Sequence, residues 1–471
     1  LAEFDLAVVG AGAAGLSVSY LGARLGAKVA LIEEGRMGGD CLNVGCVPSK
    51  ALLAASHAAR SARHAARLGV HFDRPMIDWA GIRSHVHNAI AEIAPNDSVE
   101  RYRSLGVTVL QGHARVERNG MLSVDDRLVS AKRIVIASGS RPKIPPIPGL
   151  EQIPFLTNET LFDLAEQPGH LLILGGGAIG LEMAQAHAGL GCKVSLLDRG
   201  AIAGSIDPQQ AEVLREVLKA DGVELIEHAT IVAAEAGPVL VLSDGRRIAG
   251  THLLVAAGRQ PNTDGWGLQE AGLRLTAQGV TTDAGLRSLS HRHIYAAGDV
   301  ADPVGIGPRR YTHVASAHAG VIIRRTLFRL PARLDFASLP RVMFTDPELA
   351  VAGLTEVEAR AAGHEPRVVR WSMRDNDRAV TAGRTEGSAV LITSRRGALL
   401  GASLLSPHAG ETIGFWVQAI RQGLALSSLA ATILPYPTYS EGGKRAAGIP
   451  PAERLFSARV RGLIGILRKL P

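Results

Sequence analysis

Two cysteines separated by four residues, Cys41 and Cys46, lie in the run 38–50, GGDCLNVGCVPSK. A thiol pair at that spacing can cycle between disulfide and dithiol and so carry two electrons. The run opens a helical pattern, and Lys50 follows Cys46 by one helical turn. A helix N-terminus and a nearby cation both favour thiolate. The pair is therefore a candidate two-electron carrier beside a bound redox cofactor. Cys192, the third cysteine, precedes the apolar run 194–197 and reads as a buried core thiol.

The elements that must position this pair are visible as an internal repeat. Residues 5–35 and 170–200 align without a gap. Gly10, Gly12 and Gly15 match Gly175, Gly177 and Gly180, and Glu33 matches Asp198. Each copy reads as strand, Gly-x-Gly-x-x-Gly, amphipathic helix, strand and acid. The glycines permit a tight turn and let backbone N–H groups reach a pyrophosphate at a helix N-terminus, and the acid can hold a ribose. Two copies in register, each with its acid, are far more specific than one. They predict two dinucleotide sites, one for a tightly held cofactor and one for an exchanging cofactor. The runs 134–139 (IVIASG), 253–258 (LLVAAG) and 294–299 (IYAAGD) read as buried strands entering glycine turns. In the last, Asp299 is placed to meet a polar ligand.

A chain of 471 residues with 46% hydrophobic and 20% charged residues is expected to form two or three globular domains. It contains no apolar run long enough to span a membrane. The strand-like run from Phe4 to Val9 leads straight into the first glycine turn, so no signal peptide is expected ahead of the fold. Leu1 is not an initiator Met, which points to a trimmed start. Three cysteines are too few for a secreted disulfide framework and indicate a reducing compartment, the cytoplasm. The net charge of +7 fits anionic cofactors or a solvated basic surface. No zinc-type spacing or aromatic-basic motif points to a structural metal or to nucleic acid.

A Pro-rich stretch at 142–154 reads as a linker. From about residue 339 strand-like runs (341–344, 389–393, 399–405) alternate with helical patterns (355–362, 412–422), which predicts an α+β third domain. The expected division is 1–148 and 279–338 for the first dinucleotide domain, 149–278 for the second, 339–450 for the third and 451–471 for a tail. In that tail, residues 453–470 read as one basic amphipathic helix, able to pack on its own dimer, lie on a membrane surface or bind an acidic partner.

With these motifs in the same order as GRQPN (258–262), FTDPE (344–348) and PHAGE (407–411), the chain resembles the pyridine nucleotide–disulfide oxidoreductases over nearly its whole length. That family includes dihydrolipoamide dehydrogenase, glutathione reductase and mercuric reductase. The resemblance implies an α/β protein with two Rossmann-like domains, for FAD and NAD(P)H, and a C-terminal α+β dimerisation domain forming a homodimer. FAD would lie over Gly10, Gly12, Ala13, Ala14 and Gly15, with Glu33 on its adenosine ribose and Asp299 on its ribityl chain. Gly39, Asp40, Lys50, Ser138, Gly139, Gly298 and Ala315 would complete that site. NAD(P)H would meet Gly175, Gly177, Ala178, Ile179, Gly180, Asp198, Arg199 and Gly258. Asp198 favours NADH by repelling a 2′-phosphate, although Arg199 beside it could attract one. Cys46 would be the flavin-proximal thiol, Cys41 the interchange thiol, and Lys50 would pair with Glu182 beside the flavin.

The pattern departs from the family at the segment 435–441, PYPTYSE. Dihydrolipoamide dehydrogenase and glutathione reductase carry a histidine there, oriented by a glutamate. Here Tyr436 takes the histidine position and Glu441 keeps that of the glutamate. A phenol with a pKa near 10 is a poor proton shuttle at neutral pH. Mercuric reductases carry tyrosine at this position, but this chain has no cysteine after Cys192. Asp40 also stands where threonine is commoner. The expected function is NAD(P)H-dependent reduction of a small disulfide or a thiol-bound metal such as Hg(II). The alternatives are a dihydrolipoamide dehydrogenase and an FAD-bound scaffold recruited through its basic tail.

Overall fold

The computed structural model describes residues 2–73, 75–118, 120–125 and 127–470. Its first sheet is built on Phe4–Val9, whose residues are nearly all buried, as a strand covered on both faces requires. The order across this five-stranded parallel sheet is Ile294–Ala296, Ala131–Ile136, Phe4–Val9, Val29–Glu33 and Thr108–Gln111. The second copy of the repeat gives a four-stranded parallel sheet, ordered Val223–Ile226, Lys193–Leu197, His170–Leu174 and His252–Val255. The α/β class is borne out. The first sheet draws its last strand from residues beyond the second, so the chain leaves the first unit and returns to it.

The third unit is a five-stranded antiparallel sheet: Pro340–Met343, Glu348–Gly353, Leu399–Ser406, Ser388–Thr393 and Arg367–Ser372. The helices Ala409–Arg421 and Ser440–Leu455 pack on it, with Trp416 among its largest fully buried side chains.

One correction concerns the tail. The single helix expected over 453–470 is two. The helix Ser440–Leu455 ends, and a new helix, Ala458–Leu467, begins after Ser457. The Ser457 hydroxyl accepts the N–H of Val460 at 3.4 Å. A serine that satisfies an unpaired N–H in this way starts a helix more readily than it continues one.

Two crossing helices, Cys46–His64 and Ala178–Gly189, join the three units. The second is buried almost all round yet carries Glu182 and Gln185, so each must find a partner. Gln185 donates to Asp221 (2.9 Å) and to the Asp346 carbonyl (2.9 Å), and accepts the Asp346 N–H (2.7 Å). Arg60, buried on the first helix, pairs with Asp221 at 2.8 Å and Asp346 at 3.3 Å. Arg384 closes the network on Asp346. One buried guanidinium thus meets a carboxylate of the second dinucleotide unit and one of the antiparallel unit.

Candidate functional site

A cavity of ≈ 1750 Å³ runs between the two glycine turns and past both cysteines. The two turns share the same backbone contacts. Gly10 and Gly175 have φ of +100° and +120°, and a Cβ on either would lie 2.4 Å from a backbone oxygen of the neighbouring strand exit, that of Ala137 or Ala256. Glu33 accepts the N–H groups of Ala11 (2.6 Å) and Gly35 (2.8 Å). Asp198 accepts those of Gly176 (2.6 Å) and Gly200 (2.6 Å). Each acid therefore shapes its turn and keeps lone pairs free for a ribose. Gly177, Gly139 and Gly258 each have open space where a Cβ would sit, and all three line the cavity. Space of that kind beside helix N-termini fits the pyrophosphate of a dinucleotide.

Of the residues expected at the two cofactor sites, all but two line this cavity. Gly15 and Gly180 do not. A Cβ on either would fall 1.8 Å from the carbonyl oxygen of Gly10 or Gly175, so their role is close packing of helix on turn rather than contact with a ligand. Asp299 accepts from the Ser140 hydroxyl at 2.6 Å. Burial raises its carboxyl above the usual value, against the pull of Ser140 and Arg259.

Cys41 sits in the short helix Gly39–Asn43, and Cys46 opens the long helix Cys46–His64. Both are free thiols in this structure, as is the buried Cys192. The Cys46 thiol is lowered to about 6, chiefly by a hydrogen bond from Cys41 that outweighs burial, with Thr312 and Lys50 assisting. Cys41 is raised, first because it donates that hydrogen bond and then by burial. Within the reduced pair these shifts favour the thiolate on Cys46 and the proton on Cys41. Lys50 donates to Glu182 at 2.8 Å and lies 4.4 Å from the centre of the Phe344 ring. Glu182 also accepts the Phe344 N–H at 3.0 Å. Cys41 lines a second, smaller pocket of ≈ 490 Å³, walled by Leu16, Tyr20, Ile93 and Arg101, which Cys46 does not reach.

Several neighbours escaped the sequence reading. Thr312, at a helix start, comes within 3.5 Å of the Cys46 sulfur. Asp40 is bound by Arg259 (3.1 Å) and Asn158 (3.0 Å), and Arg259 also donates to the Ser140 hydroxyl at 2.7 Å. The acid at 40 is therefore balanced by a cation from the GRQPN motif, which was the available signal. Tyr436 and Glu441 line neither pocket. The Tyr436 hydroxyl donates to Asp377 at 2.8 Å, and Glu441 faces Arg445 at 4.0 Å. The Asp377 contact raises the phenol further.

Twin dinucleotide turns flanking a dithiol define a class. Residues 4–320 match the pyridine nucleotide-disulphide oxidoreductase family and residues 339–447 its dimerisation domain, and the chain belongs to that family. Its members are FAD-dependent enzymes that use NAD(P)H. The chain is 34% identical to a mercuric reductase of Streptomyces lividans over 94% of its length and 95% of the relative's. It is 32% identical to a dihydrolipoyl dehydrogenase of Geobacillus stearothermophilus, covering 95% and 96%. In fold it is similar to the Cu(II) complex of the HOCl-induced flavoprotein disulfide reductase RclA from Escherichia coli. That structure gives a TM-score of 0.83 at 27% identity, covering 94% of this chain and 99% of the other.

Proposed function

We propose that this protein is a homodimeric, cytoplasmic NADH-dependent reductase in which Cys41 and Cys46 form the redox-active disulfide, acting on a small disulfide or a thiol-bound metal such as Hg(II). The observation that carries this reading is the division of labour within the pair. Cys46 is the stabilised thiolate beside Lys50 and Glu182, whereas Cys41 alone opens onto a second pocket. FAD and NADH, when bound in the long cavity, supply the hydride transfer that brings two electrons to the pair.

The disulfide takes up two electrons and one proton to give the Cys46 thiolate and the Cys41 thiol. Cys41 then attacks one sulfur of the acceptor as its proton passes to the other, which leaves as a thiol. Attack by Cys46 on the Cys41 sulfur restores the disulfide and releases the remaining acceptor sulfur as a thiolate. Thiol-bound Hg(II) would instead exchange its ligands for the two cysteine sulfurs, and the two electrons of the pair would then pass to it, releasing Hg(0) and re-forming the disulfide. Among the described residues no three His, Cys, Asp or Glu side chains gather to hold a metal elsewhere. Asp198 at the second glycine turn supports NADH, because a 2′-phosphate would meet its charge.

The test is anaerobic reduction by NADH followed by mixing with Hg(II)–thiol complexes, lipoamide, oxidised glutathione and quinones. Reduction should produce the long-wavelength absorbance of a thiolate beside flavin. That band should persist above about pH 6 and fade below it, as Cys46 takes up its proton. A band that titrates near pH 9, or none at all, would remove the assignment.

Tyr436, exposed on the antiparallel unit, would complete the partner's site in the dimer. A histidine there would supply the missing proton shuttle. Tyr436→His is expected to raise lipoamide turnover by about 10²-fold, the usual scale of general acid–base assistance. Steady-state rates on lipoamide with both forms decide this. Rapid turnover by the unaltered enzyme would instead favour the dihydrolipoamide dehydrogenase reading.

A further inference from the structure

Beyond the redox site, we propose that residues 454–470 dock the protein on an anionic membrane surface. The helix Ala458–Leu467 places Val460, Leu463, Ile464 and Leu467 at positions i, i+3, i+4 and i+7, one continuous stripe. Leu455, Phe456, Leu463, Ile464, Ile466, Leu467 and Leu470 are all exposed. Large apolar side chains gathered in one short segment mark an interaction surface rather than scattered surface residues.

The charges complete the pattern. Arg454, Arg459, Arg461, Arg468 and Lys469 occupy this segment, and no Asp or Glu follows Glu453. Glu453 itself pairs with Arg367 at 2.6 Å, fixing the base of the tail to the edge strand Arg367–Ser372. Among the described residues none forms an ion pair with the five tail cations. The family's dimerisation domain ends at residue 447, so the tail lies outside the part that the domain match accounts for.

Charge selects the occupant. The tail holds five of the chain's net +7 charges, so a second copy offers no acidic excess to receive it. An apolar stripe flanked by unpaired cations suits lipid, where the side chains enter the acyl boundary and the cations meet anionic headgroups. The helix is too short to cross a bilayer, and no helix among the described residues is long and apolar enough to do so, so the tail would lie in the interface. Gly462 and Gly465 weaken the isolated helix, which leaves contact with lipid to order it.

The experiment is co-sedimentation of the full FAD-loaded protein with vesicles of phosphatidylcholine, with and without phosphatidylglycerol. Binding should be at least about ten-fold stronger with the anionic lipid and should weaken as salt is raised. The double variant Leu463→Ser, Leu467→Ser keeps all five cations and should lose most of that binding. Its flavin spectrum and NADH reduction should be unchanged, which separates this test from that of the cysteine site. Four results would overturn the proposal. One is absent or lipid-independent sedimentation, and another is full binding by the double variant. A third is a halved solution mass for that variant, which would make the tail a contact between copies. The fourth is capture by polyglutamate without vesicle binding, which would indicate an acidic protein partner.

Discussion

Cys46→Ser is expected to abolish both the long-wavelength band and turnover, whereas Cys41→Ser should keep the band and lose turnover. The asymmetry follows from the geometry. Cys46 is the thiol whose pKa is lowered, and Cys41 is the group with access to the second pocket. Either change removes a nucleophile that acts as part of a unit, so the loss in kcat on thiol-bound acceptors should be at least about 10³-fold. FAD should stay bound in both variants, because neither sulfur carries a dinucleotide turn. The Cys41→Ser protein also tests the coupling within the pair. With a hydroxyl in place of the donor thiol, the Cys46 thiolate should persist over a different pH range from the parent. Static spectra of the NADH-reduced variants across pH decide the matter. Equal spectra for the two variants would contradict the division of roles.

Arg60→Met is the second large effect, and it acts on stability rather than chemistry. Arg60 is 3% exposed and faces two carboxylates, those of Asp221 and Asp346. Removing it leaves buried charge without its partner, which costs about 3–5 kcal/mol. Thermal unfolding of the FAD-loaded variant should begin roughly 3 °C or more below the parent. The shift should shrink in the double variant Arg60→Met, Asp221→Leu, in which one orphaned charge is removed along with the arginine. The pH response has a definite sign. Burial raises the Asp346 carboxyl, but Arg384 and Arg60 outweigh it and hold it below the ordinary value. A depressed carboxyl contributes stability above its unfolded pKa, near 4, and that contribution is lost as pH falls through the folded pKa. Without Arg60 the folded pKa rises, so the acid transition should move to higher pH. An unchanged transition would mean that Arg384 alone sets Asp346.

Much of the scaffold was legible because its signals are local. The glycine turns, their acids and the buried strands that enter them are fixed by backbone sterics and continuous apolar runs, which a sequence displays directly. The antiparallel unit was readable from a change of texture at about residue 339, and its five strands fall there. The tail was legible in composition but not in continuity, because the serine that restarts the helix competes with the surrounding helical pattern. Gly15 and Gly180 were placed with the cofactor through their motif, yet their requirement for glycine comes from the packing of helix on turn.

The sequence by itself determined the thiol pair, the doubled dinucleotide turn and the family. Each rests on residues near one another in the chain, whose spacing sets their geometry. Only the tertiary structure decided what surrounds them. Thr312 reaches Cys46 across 266 positions, Phe344 supplies its N–H to Glu182 across 162, and Arg259 balances Asp40 across 219. Such partners are brought together by sheet order and helix crossing. The pKa of a thiol depends on those neighbours in space, so the resemblance gave Cys46 its expected role while the fold supplied the contacts that lower it.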